Sequence, residues 1–77
     1  MAHPEVGSET ATITLNGDLR AIPAGSTIAT LLDSLALDPR LVVVERNRVI
    51  VRDRETFPNT PVLSGDAIEI VHFVGGG

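Results

Sequence analysis

The chain has 77 residues, a formal net charge of −4, 43% hydrophobic and 21% charged residues, a balance that fits one folded domain rather than a disordered segment. It contains no Cys and no Lys, which excludes a disulfide framework, a thiolate metal site, redox-thiol chemistry and a Schiff-base amine. No basic run with interleaved aromatics argues for nucleic acid or an anionic membrane surface, and no apolar run approaches the ~18 residues of a membrane-spanning helix.

Residues 1–10 mix Pro, Gly, Ser and acids without periodicity and are expected to form a flexible N-terminal tail, with His3 solvated in it. They have no basic start and no apolar stretch, so a signal peptide is not expected and a cytoplasmic location follows. Thr12-Ile13-Thr14-Leu15 alternates as a half-buried strand should. Asn16-Gly17 is a strong hairpin signal, because a type I′ turn needs positive φ at both central positions. Asp18 to Ile22 returns as a second strand, which Pro23-Ala24-Gly25 ends.

Ser26 or Thr27 can cap a helix. Ile28, Leu31, Leu32 and Leu35 then fall on one stripe, which predicts a helix over 27–36. Pro39 stops any continuation. Leu41-Val42-Val43-Val44 reads as a central strand, buried on part of both faces. Glu45 to Arg48 reads as a turn, and Val49 to Val51 as a short strand. Residues 52–61 are charged and then Pro-rich, hence loop. Ser64-Gly65-Asp66 is a turn. Ala67 to Phe73 is the closing strand, with Ile68 and Ile70 on one face and Glu69, Val71 and Phe73 on the other. Phe57 and Phe73 are the only aromatics, so an aliphatic core is expected.

The order β-β-α-β-β-β gives one helix stripe and one sheet face to cover it. The expected fold is α+β, a β-grasp with a mixed sheet of four to five strands packed on one α-helix. Its domain spans 11–74, and 75–77 form a flexible C-terminal arm.

That arm carries the chemistry. Phe73-Val74 runs into Gly75-Gly76-Gly77, and glycine, lacking Cβ, threads a narrow channel. Four residues past Phe73 reach roughly 13 Å when extended, enough to place a terminal carboxylate in a partner's active site. A carboxylate is ionised at neutral pH and is a poor acyl donor. A partner using ATP solves this by making an acyl-adenylate, from which sulfide displaces AMP and leaves a thiocarboxylate. The hard chemistry then lies in the partners, as for other group carriers.

The chain resembles the thiamine-biosynthesis sulfur carriers (ThiS), ubiquitin-like relatives of the molybdopterin-synthase small subunit. The resemblance covers roughly 11–77. It rests on Leu15-Asn16-Gly17, on Pro23-Ala24-Gly25-Ser26-Thr27 leading into Leu31-Leu32, on Val42-Val43-Val44, and above all on the stretch from Gly65-Asp66 through Phe73-Val74-Gly75-Gly76-Gly77. It implies that Gly77 is adenylated by an E1-like adenylyltransferase (ThiF-type), receives sulfur from a persulfide donor enzyme and delivers it to a thiazole synthase (ThiG-type). Gly75 and Gly76 are the arm, and Val71, Phe73 and Val74 help to dock partners. The chain would be no enzyme itself and would bind no cofactor, ATP being used by the activating partner; no metal site is expected. Where the family often has Asn-Gly after its central strand, this chain has Glu45-Arg46-Asn47-Arg48. Two other readings stay open: a carrier for another pathway such as molybdopterin synthesis, and a non-covalent ubiquitin-like interaction module.

Overall fold

A computed structural model describes residues 9–73; the expected arm, Gly75, Gly76 and Gly77, lies outside the described residues, as do Val74 and residues 1–8. Five strands form one sheet: β1 (Thr10–Leu15), β2 (Asp18–Pro23), β3 (Val42–Arg46), β4 (Val49–Ile50) and β5 (Ala67–His72). Their order is β2-β1-β5-β3-β4. β1 and β5 run parallel, while the other pairings are antiparallel. One α-helix, α1 (Ile28–Ser34), lies between the two hairpins in sequence. This is the expected mixed sheet and helix of a β-grasp.

The core follows from the alternation read in the strands. Ile13, Ile22, Val42, Val44 and Ile68 turn to one face and meet Ile28, Leu31 and Leu32 of α1, and all are buried. At ~25 cal/mol per Å² of apolar surface, burial of such side chains is the main term holding a domain this small together. α1 begins at a capping box: the Thr27 hydroxyl accepts from the Thr30 N–H, and the Thr30 hydroxyl accepts from the Thr27 N–H.

The structure corrects several boundaries. α1 ends at Ser34, short of the expected 36. Leu37 N–H donates to Leu32 C=O and Ala36 N–H to Asp33 C=O, a Schellman stop with Ala36 left-handed at φ 59. The helix is thus ended by its own backbone before Pro39 matters. Thr10 belongs to β1 and not to the tail, paired with Pro23. Glu45 and Arg46 belong to β3, so the turn is only Asn47-Arg48, both with positive φ (54 and 71).

β3 is not the centre of the sheet; β5 is. Val42 and Val44 are buried, but Val43 is only half-buried and Leu41 is exposed in a 3₁₀ turn (Pro39–Leu41). The apolar run is therefore buried fully on one face and partly on the other, as expected, although the strand is not central. Finally, 52–61 is no plain loop. It holds a 3₁₀ helix (Arg54–Asn59) whose Phe57 is buried among the aliphatic residues. Arg54 ties this segment down, donating to the carbonyls of Pro39 (2.8 Å) and Val42 (3.1 Å).

Candidate functional site: the C-terminal strand and its exit

The expected working end of the chain leaves the sheet from its central strand. β5 pairs with β3 along its whole length, from Ile68 opposite Arg46 to His72 opposite Val42. Phe73 extends the ladder, its N–H donating to Leu41 C=O at 2.8 Å. On the other side the parallel ladder with β1 is brief, Thr14 with Ala67 and Leu15 with Ile68. Beyond it, the Asn16 side chain reaches β5 at Ile70.

The beginning of β5 is anchored by a buried carboxylate. Asp66 is 7% exposed. It accepts from Leu63 N–H (2.8 Å), Arg46 Nε (2.9 Å) and Asn47 Nδ2 (3.0 Å). Burial pushes its carboxyl up, but the Leu63 N–H, the Asn47 amide and the Arg46 guanidinium together prevail and hold it below the ordinary value. Asn47 also accepts from Ala67 N–H through Oδ1 (2.9 Å). The β3–β4 turn and the start of β5 are thereby fastened to one another.

Val71 and Phe73, expected from the sequence to help dock partners, lie where alternation puts them, on the face away from the helix, 57% and 52% exposed. Val43 stands directly opposite Val71, and Ile50 opposite Glu45. Val43, Ile50, Val71 and Phe73 make an apolar strip on the outer face, broken by Glu45 and Glu69, which also oppose one another. An apolar strip with a charged border suits contact with another protein. Val74, Gly75, Gly76 and Gly77 lie outside the described residues, so their placement is not part of this geometry. His72 is exposed at the end of β5.

Among the described residues nothing else is arranged for catalysis. Ser26 Oγ donates to Pro23 C=O, Ser34 Oγ to Leu31 C=O, and Ser64 Oγ accepts from Thr12 N–H. These hydroxyls serve the backbone and have no base beside them. No group of three or more His, Cys, Asp or Glu in the described residues is placed to hold a metal ion, and none of the described helices is long and apolar enough to cross a membrane. Sequence reasoning did not find Asn16, Asn47 and Asp66 as the residues that seat β5. Their signals were turn signals, and a turn residue's side chain gives no hint of the strand it will bond.

The ThiS family model matches residues 13–77, from the middle of β1 through the helix, the remaining strands and the glycine end. The chain belongs to the ThiS family. It is 44% identical over 64 residues to the sulfur carrier protein ThiS of Bacillus subtilis (strain 168), covering 82% of this chain and 96% of that one. A crystal structure of a thiamine biosynthesis protein (ThiS) from Geobacter metallireducens superposes with a TM-score of 0.72 at 33% identity, covering 86% of this chain and 99% of that one. A thiazole synthase from Magnetococcus marinus contains a similar stretch, 43% identical over 65 residues. This chain spans about a fifth of that protein's length, 20%, so a ThiS-like segment there shares one polypeptide with a much longer remainder.

Proposed function

We propose that this chain is a sulfur carrier that supplies sulfur for thiazole formation in thiamine biosynthesis, with the Gly77 α-carboxylate as its working group. The observation that carries this reading is the family match, which runs from within the first strand through Gly77, together with near-complete coverage, 96%, of a somewhat shorter sulfur carrier. An E1-like adenylyltransferase of the ThiF type joins the Gly77 carboxylate to AMP and releases pyrophosphate from ATP. The terminal sulfur of an enzyme persulfide then attacks the acyl-adenylate and displaces AMP, and a thiol reductant cleaves the resulting acyl disulfide, leaving a thiocarboxylate on Gly77 and the donor enzyme in a disulfide with that thiol. A thiazole synthase of the ThiG type takes up that sulfur, a role supported by the thiazole synthases that carry a ThiS-like segment in their own chain.

In this reading the protein contributes recognition and reach, while its partners contribute the chemistry. The outer strip of Val71 and Phe73 docks the folded body, and Val74 assists. Gly75 and Gly76 carry Gly77 into the partner's active site. A chain lengthened by one residue after Gly77 tests the assignment. It is expected to fold normally and to accept neither AMP nor sulfur. Undiminished thiazole formation with the lengthened chain would instead support a non-covalent interaction module.

A further inference from the structure

Asn16 does more than turn the first hairpin. The bond from Phe73 N–H to Leu41 C=O sets the alternation along β5: residues 69, 71 and 73 bond towards β3, so 68, 70 and 72 present their polar groups to the β1 side. β1 ends at Leu15, opposite Ile68, and Asn16 N–H still reaches Ile68 C=O at 2.9 Å. The next groups on that side belong to Ile70. Both are taken by the Asn16 side chain: Ile70 N–H donates to Oδ1 at 2.8 Å, and Nδ2 donates to Ile70 C=O at a longer 3.4 Å. The side-chain amide thus replaces the peptide that β1 would have supplied.

The residue type is specific to this double task. The position has φ 50, which Gly, Asp and Asn all tolerate, and each of them forms a two-residue hairpin before Gly. Only Asn adds a donor and an acceptor in the geometry of a peptide group. Without it the second half of β5 would be an edge on that side, held by β3 alone.

We propose that Asn16 is a positioning residue for the carrier reaction: its amide holds Ile70 and so sets the direction in which β5 leaves the sheet towards the C-terminal glycines. This rests on the carrier reading above. The activating enzyme then meets a strand whose last residues are already held in the sheet, and pays less ordering entropy to bind it.

The test compares Asn16→Gly, which keeps the turn and removes the amide, with Gly17→Ala, which strains the same turn at φ 90 and leaves the amide in place. Two readouts are taken on the full chain: hydrogen exchange at the Ile70 amide, and the KM and kcat of the activating enzyme for the carrier. Asn16→Gly is expected to speed Ile70 exchange and to raise KM, each about fivefold, the scale of one lost net hydrogen bond, with kcat unchanged. Gly17→Ala is expected to lower the melting temperature without moving KM. Unchanged KM in Asn16→Gly, or an equal rise in both variants, would overturn the positioning role while leaving the carrier reading intact. Absence of sulfur uptake by the unaltered chain would overturn both, and the Ile70 exchange data would then report only a structural clamp.

Discussion

Arg46 Nε lies 2.9 Å from Asp66 Oδ2, and this ion pair joins the end of β3 to the start of the central strand. The same carboxylate serves the Leu63 N–H and the Asn47 amide, so removing it leaves three donors unpaired in a part-buried place. Asp66→Ala is expected to cost about 2–3 kcal/mol, the range for leaving buried donors unpaired. Urea unfolding measures this directly. A loss of a few tenths would show that water replaces the carboxylate without penalty.

The acid limb of stability has a defined sign. The Asp66 carboxyl is held below its ordinary value. Hydrogen bonds from the Arg40 side chain and backbone hold the partly exposed Asp38 at about 2. A group whose folded pKa is depressed stabilises fully above its unfolded pKa, near 3.9, and that contribution fades as the pH falls through the folded value. Stability is expected to be level above about pH 5 and to decline below about pH 4, with Asp66 dominating because the Asp38–Arg40 pair is solvent-screened. An Asp66→Asn variant is expected to show a much shallower decline. An equally steep decline in that variant would place the titrating group elsewhere.

Two left-handed positions are neither glycine nor asparagine. Ala36 (φ 59) ends the helix and Arg48 (φ 71) closes the β3–β4 turn. The left-handed region costs an L-residue about 1–2 kcal/mol, part of which glycine returns as unfolded-chain entropy. Ala36→Gly and Arg48→Gly are each expected to stabilise by about 0.5–1 kcal/mol. Destabilisation by Arg48→Gly would mean that its side chain contributes more than its backbone costs.

The core prediction separates what was legible from what was not. Leu31→Ala is expected to cost about 2–5 kcal/mol and Phe57→Ala about 3–5, each a large share of the total for a domain of this size. Melting curves of the two variants check this; a loss under about 1 kcal/mol at either position contradicts its place in the core. Leu31 was evident from its helical stripe. Phe57 was not, because a single aromatic in a charged, Pro-rich stretch has no period to place it, and only the tertiary packing of the 3₁₀ segment buries it. The strands and the hairpin were legible because alternation and Asn-Gly chemistry are local. The centre of the sheet was not, since strand order depends on pairing between distant segments. The outer face of β5 was legible by the same alternation that placed Ile68 inside. The side-chain bonds of Asn16 and Asn47 to β5, and of Asp66 to Arg46 and Asn47, were not, because each joins residues far apart in sequence.

The exposed strip is expected to matter for partners and not for folding. Val71→Asp on the outer face leaves the core untouched, so its melting temperature should stay close to that of the unaltered chain while binding to the activating enzyme weakens. Equal binding would move the docking surface elsewhere. Gly76→Val is expected likewise to fold normally, and to resist adenylation because it thickens the end of the chain that enters the active site.

The most direct measurement is the intact mass of the protein after incubation with ATP, an E1-like activating enzyme, a persulfide sulfur donor and a thiol reductant. A gain equal to one exchange of oxygen for sulfur, located on the C-terminal peptide that ends at Gly77, is the expected result. An unchanged mass, obtained with an activating enzyme shown to be competent on another carrier, would contradict the sulfur-carrier function.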